Sequence, residues 1–195
     1  MQKKVGLYFG TFNPIHVGHL IIANHIAEHS DLDEIWLVVT PHNPHKKKKT
    51  LIADHHRLEM VYMATEIYDK LQPSNIEFGL PQPNYTANTL AHLQEKHPDY
   101  SFCLIMGEDN LKTFHKWKNF EVILEQYHIY VYPRVSEGKK STQFDGHIKI
   151  KMIDAPIIEI SSTYIRDNVR IGKDVRPLLD AKVWKYIDEM NFYKD

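Results

Sequence analysis

The stretch KVGLYFGTFNPIHVGHLIIANHIAEH, residues Lys4 to His29, decides the fold. It opens on an apolar, β-prone run from Lys4 to Phe9 and passes through a turn containing glycine, threonine, asparagine and proline. It closes on apolar residues at three- and four-residue spacing. Strand, short loop and helix form the first half of a βαβ unit, and a sheet built from such units is parallel and buried on both faces.

The pattern recurs outward along the chain. EIWLVV (Glu34 to Val39), NIEFGL (Asn75 to Leu80), YSFCLIM (Tyr100 to Met106) and HIYVYP (His128 to Pro133) read as further strands, and the alternating HIKIKMID (His147 to Asp154) as a weaker sixth at an edge. Between them GHLIIANHIAEH, DHHRLEMVYMATEIYDKL, TANTLAHLQEKH and NFEVILEQ carry helical spacing. Right-handed crossovers then put helices on both faces of a five- or six-stranded, mostly parallel sheet. SSTYIRDNVR and PLLDAKVWKYIDEM, the second opened by Pro177, make a helical C-terminal part from about 160 to 195. A length of 195 residues suits one domain, 1–195.

Composition narrows the classes of function. A net charge of -1 with 25% charged residues gives no overall basic bias, so nucleic acid is not expected as a partner. The single cysteine, Cys103, lies inside an apolar run, which excludes a disulfide framework and suits a reducing compartment, the cytoplasm. The short apolar stretch at the start fits neither a signal peptide nor a membrane span. The KIK alternation at the weak sixth strand leaves an edge where a second subunit could pair, although Lys149 and Lys151 also protect such an edge.

In an open parallel sheet, ligands bind beyond the carboxyl ends of the strands, which is where FGTFNPIHVGHL lies. A helix starting near Gly18 offers unpaired N–H groups and the positive end of its dipole to an anion. His16 and His19, three apart, share one face and can both donate to phosphate oxygens. Gly10 and Thr11 add a flexible turn and a hydroxyl just before, with Phe12 and Asn13 completing the turn. Zinc is the rival for a His-x-x-His pair, but no cysteine pair or neighbouring carboxylate completes a ligand set.

Four other stretches carry possible chemistry. EISSTYIRDNVR offers Ser161 and Ser162 as caps, with Thr163 and Arg166 one turn apart, a second helix start suited to an anion. Lys46, in the lysine run after the second strand, is positioned to reach a phosphate, whereas Arg57 suits an ion pair and a phosphate equally. Thr86, in NYTANTL, opens a helix whose N–H groups suit a small carboxylate. In MGEDNLKTFHKW, Gly107 permits close approach, Asp109 can accept from ribose hydroxyls and Trp117 can stack on a flat ring.

GTFNPIHVGH resembles the H-x-G-H signature of the nucleotidyltransferases. Together with PHNPHK, HRLEM, YTANTL, GEDNL followed by a tryptophan, and ISSTYIR, in that order over most of the chain, it resembles the nicotinate-mononucleotide adenylyltransferase family. The resemblance implies a Rossmann-like, doubly wound α/β fold. It also implies ATP and nicotinate mononucleotide as substrates, deamido-NAD and pyrophosphate as products, and Mg2+ held mainly through the phosphates.

By the same resemblance His16 and His19 serve the α-phosphate, and Arg166, with Ser161, Ser162, Thr163 and Lys46, serves the β- and γ-phosphates. Gly10, Thr11, Phe12, Gly18, Gly107 and Asp109 border ATP, while Asn13, Thr86 and Trp117 take the mononucleotide. Phe9 and Asn13 stand where the family pattern has a glycine and an aspartate. Nicotinamide mononucleotide or phosphopantetheine as acceptor, or a nucleotide sensor without catalysis, remain the alternatives.

Overall fold

The computed structural model describes residues 2–41, 51–135 and 142–194. Six strands, β1 (Lys3–Gly10), β2 (Glu34–Val39), β3 (Leu71–Ser74), β4 (Tyr100–Gly107), β5 (His128–Tyr132) and β6 (Ile150–Met152), form one sheet in the order β3-β2-β1-β4-β5-β6. Every pairing is parallel. This is the doubly wound, Rossmann-like arrangement. The strand order reverses between β1 and β4, and the crevice at their carboxyl ends is its natural ligand site.

Among the described residues seven α-helices connect and flank the strands: α1 (Val17–His29), α2 (Asp54–Thr65), α3 (Thr86–Lys96), α4 (Glu108–Thr113), α5 (Phe120–Gln126), α6 (Ser162–Arg170) and α7 (Ala181–Glu189). One face of the sheet buries Ala23 and Ile26 of α1, Met60 and Val61 of α2, and Val183 and Ile187 of α7. The other buries Leu90 and Leu93 of α3, Leu111 of α4, Phe114 of the 3-10 turn that follows it, and Ile123 of α5. Leu7 and Tyr8 of β1 fall into opposite clusters, as alternate residues of a central strand must. Among the described residues no helix is long and apolar enough to cross a membrane.

Three expectations are corrected. The third strand is LQPS, not NIEFGL; Ile76–Gly79 is a 3-10 turn. Its Pro73 reads as a breaker in sequence, but β3 is an edge strand with one neighbour, where a missing N–H is tolerated. α2 stops at Thr65 rather than running on to Leu71. Pro177 belongs to a short 3-10 turn, and α7 starts four residues later behind Asp180, whose carboxylate accepts from the Lys182 and Val183 N–H groups. β6 does form the edge, though only three residues pair, and Lys151 reaches Asp31 at 3.2 Å.

Candidate active site

The loop from Thr11 to His16 joins the carboxyl end of β1 to α1 and is held from several sides. Phe12 takes a left-handed backbone (φ 44°) and turns its ring under Gly10, where a Cβ would come within 2.8 Å of it. Gly10 therefore serves the packing of its own loop. At Gly18 a Cβ would meet Ile158 at 2.8 Å and the His16 ring at 3.1 Å, so this glycine lets the His16 ring and the 158 segment close over the first turn of α1.

His16 and His19 stack with ring centroids 3.7 Å apart. The His16 backbone N–H donates to His19 Nδ1 at 3.3 Å, which leaves the proton of a neutral His19 ring on Nε2. The ring edges of Tyr8 and Phe12 confine His19 further. His16 is 5% exposed, and its Nδ1 is buried without a partner. Burial, reinforced by the charge of Arg134, holds its pKa down at about 4.

His16 is thus a neutral ring at pH 7. The unfolded chain, with a histidine near 6.5, binds more protons than the folded chain between pH 6.5 and 4. Its contribution to stability is therefore complete above pH 6.5 and falls by up to about 3 kcal/mol as pH drops through that window. Urea unfolding of the wild type and His16→Asn at pH 7.5 and 4.5 checks this. The loss at the lower pH should be smaller in the variant; equal losses would trace the effect to other groups.

The second expected anion site lies against the first. Ser161 caps α6 by accepting from the Tyr164 N–H at 3.1 Å. Ser162 Oγ donates to the Pro14 carbonyl at 2.8 Å and Arg166 to the Asn13 carbonyl at 2.8 Å, so α6 is bolted to the loop that starts α1. The other terminal nitrogen of Arg166 donates to Thr163 Oγ1 at 3.1 Å. Two sites separated by some 145 residues of sequence meet here, as a triphosphate would require.

At the carboxyl end of β4, a Cβ on Gly107 would come 2.5 Å from Asp109 Oδ1 and 3.2 Å from Arg134 Cγ. Asp109 is exposed and lies 4.0 Å from the Arg134 guanidinium. Arg134 was not foreseen, although its position two residues after β5, on the crevice side, was a usable signal. It donates to the Ile158 carbonyl at 3.1 Å, rests over the Tyr132 ring and brings a second guanidinium towards His16.

Thr86 is the first residue of α3, behind Tyr85, and Lys118 stands 4.5 Å over the Tyr85 ring. Trp117 is half-buried, its ring set edge-on to Phe114, and it packs on the same cluster as Phe9 and Ala87. Phe9 thus widens the apolar wall on that side of the sheet. Beneath α3, Glu77 is buried with Oε1 accepting from Thr89 at 2.7 Å and Oε2 unpartnered, and burial raises its pKa.

Two residues differ from their expected settings, and Arg57 takes the structural one of its two expected roles. Asn13 is 1% exposed, and its side-chain oxygen accepts from the Ile52 N–H and the Tyr193 hydroxyl, so it faces protein rather than an open subsite. Arg57 is wholly buried on backbone carbonyls and serves the structure. The hydroxyl of Ser162 is engaged by Pro14, leaving the α6 backbone as the donor there. Lys46 lies outside the described residues. Among those residues no group of three or more histidine, cysteine or acidic side chains could hold a metal.

Comparison with known proteins agrees with this arrangement. The cytidylyltransferase-like family matches residues 7–168. A probable nicotinate-nucleotide adenylyltransferase of Christiangramia forsetii is 72% identical over 194 residues, covering 100% of both chains. Another, of Flavobacterium johnsoniae, is 65% identical over 98% of this chain and 99% of that one. The solved nicotinic acid mononucleotide adenylyltransferase of Plasmodium falciparum, complexed with NaAD, superposes with a TM-score of 0.82 at 21% identity, covering 98% of this chain and 97% of that one. At that identity the likeness is one of fold.

Proposed function

The chain belongs to the nicotinate-nucleotide adenylyltransferases of the cytidylyltransferase-like family, and from that premise we propose how its residues transfer the adenylyl group of ATP to nicotinate mononucleotide. The products are deamido-NAD and pyrophosphate. The observation that carries the reading is the docking of α6 on the α1 loop, through Ser162 on Pro14 and Arg166 on Asn13. It joins two helix N-termini, two imidazoles and a guanidinium into one anion-binding surface at the strand-order reversal.

The 5′-phosphate of the mononucleotide is already ionised near neutral pH and attacks the α-phosphorus in line, so no general base is needed. The P–O bond to the pyrophosphate breaks as the new one forms, and catalysis rests on positioning and on neutralising the charge that develops. His19, with its proton on Nε2, donates to the α-phosphate, and the His16 ring stacked on it backs that contact. Arg166, Ser161, Thr163 and the α6 backbone hold the β- and γ-phosphates, with Arg134 a further cation at the same mouth. Asp109 takes the ribose.

The imidazoles and guanidiniums that gather here do not form a cage for a hard cation. Magnesium would fit as an ion carried in with the triphosphate, and it would supply neutralisation of charge on the leaving group. A buried free Cys103 and the need for ATP are consistent with a cytoplasmic setting.

The test is an assay of pyrophosphate release with ATP and either nicotinate or nicotinamide mononucleotide as acceptor. Turnover should be faster with the acid; equal or faster turnover with the amide would overturn the assignment, and ATP binding without turnover would indicate a sensor. The acceptor subsite is assigned to Thr86, Trp117 and the α3 N-terminus. Trp117→Ala should accordingly raise KM for the mononucleotide about tenfold, as expected for loss of an aromatic contact. KM for ATP should stay close to wild type, and initial rates with each substrate varied in turn separate the two.

A further inference from the structure

The segment after α7 folds back beneath the phosphate loop. Asn191 and Tyr193 both take left-handed backbone, with φ of 53° and 62°, a conformation that turns the chain sharply. The Phe192 N–H donates to the Ile187 carbonyl at 3.0 Å, and the Phe192 ring lies 4.8 Å from that of His56 and 5.9 Å from that of Tyr186. This anchor delivers Tyr193, whose hydroxyl donates to Asn13 Oδ1 at 3.0 Å.

Asn13 is a junction. Its side-chain oxygen receives Tyr193 and the Ile52 N–H, the latter at 3.3 Å, while its backbone carbonyl receives Arg166 at 2.8 Å. Among the described residues the other tie of the Arg166 guanidinium, Thr163 Oγ1, lies on its own helix, so the Asn13 carbonyl is what connects it to the loop. The Tyr193 phenol lies close enough to feel the charges of Arg166 and Arg57. Both act to lower its pKa, but burial outweighs them and keeps it a neutral donor.

We infer that Tyr193 is a positioning residue for Arg166: the phenol fixes the Asn13 side chain, and Asn13 in turn fixes the carbonyl that orients the guanidinium. The inference rests on the reading above, in which Arg166 meets the triphosphate. Removing the hydroxyl takes the shorter of the two described bonds from Asn13 Oδ1, so the carbonyl is less firmly held and Arg166 samples more orientations. The effect is directional: it should reach ATP and spare the acceptor, whose subsite is on the opposite face of the sheet.

Tyr193→Phe keeps the ring and the Phe192 anchor. KM for ATP should rise about five-fold, the effect of one neutral hydrogen bond, with KM for nicotinate mononucleotide unchanged and the melting temperature close to wild type. In an Arg166→Ala background the same change should alter ATP kinetics no further. If Arg166→Ala alone leaves ATP kinetics intact, the reading of Arg166 fails. If Arg166→Ala impairs ATP use while Tyr193→Phe does not, or if the Tyr193→Phe effect persists at full size without Arg166, the inference alone fails. It also fails if both KM values rise together with a fall in melting temperature. Should Tyr193→Phe not fold, Asn13→Ala carries the same readouts, with a selective rise in KM for ATP expected and a selective rise for the mononucleotide overturning it.

Discussion

His19→Ala should lower kcat about a hundred-fold or more while changing KM for either substrate little, the pattern expected when a donor acts mainly on charge that develops in the transition state. The Nδ1 of His19 is held by the His16 backbone N–H, so its ring is fixed in orientation before substrate arrives. The Tyr8 and Phe12 rings prevent it from turning away. Such a preorganised donor needs no reorganisation as the α-phosphate takes on charge. His19→Gln, which can donate from a similar distance without the ring's confinement, should recover part of the loss. A folded His19→Ala protein with near wild-type turnover would remove the residue from the mechanism.

The central strands and the first crossover were legible because their burial is written in composition. VGLY in β1 and CLIM in β4 are apolar on both faces, as only a strand inside a parallel sheet can be. The β3 edge was not: β3 carries Gln72 and Pro73, and nothing in LQPS outweighs the better-looking NIEFGL that follows. That neighbour is apolar for another reason. It packs Ile76 and Phe78 on opposite clusters while burying Glu77 against α3.

The site was legible at its helix starts, where residue types alone point to anions. It was not legible where a side chain's partner is distant in sequence. Arg134 takes its meaning from Ile158 and Asp109, and Asn13 from Ile52 and Tyr193. Neither spacing nor periodicity encodes such pairs, because the topology brings them together only after the sheet has formed.

The same logic makes Arg57 the residue whose loss should unfold the site. It is 0% exposed, yet its guanidinium is not neutralised by a comparably buried carboxylate, since the Asp54 side chain beside it is 42% exposed. Its other bonds run to backbone carbonyls: Thr11 in the loop between β1 and α1, Thr40 after β2 at 3.0 Å, and Ile52 ahead of α2 at 3.2 Å. A single planar fork thus ties the ends of the paired strands β1 and β2 to the lead into α2, which a lysine with its one ammonium cannot copy.

Arg57→Met, close in volume and apolar, would leave the Thr11 and Thr40 carbonyls buried without that donor, each costing ~1–3 kcal/mol. The expected loss is about 3–5 kcal/mol, which for a chain of this length lowers Tm by roughly 10 °C. Asp54→Asn should cost under about 1 kcal/mol, since solvent screens that half-exposed partner. A variant Arg57→Met within 1 kcal/mol of wild type in urea unfolding would mean that the carbonyls find other donors. Because Thr11 O is one of the acceptors, the fraction that remains folded should also turn over more slowly. Arg166→Ala, whose guanidinium meets the same loop from the substrate side, should instead slow turnover with little change in Tm, and the two variants together separate the scaffold of the loop from its chemistry.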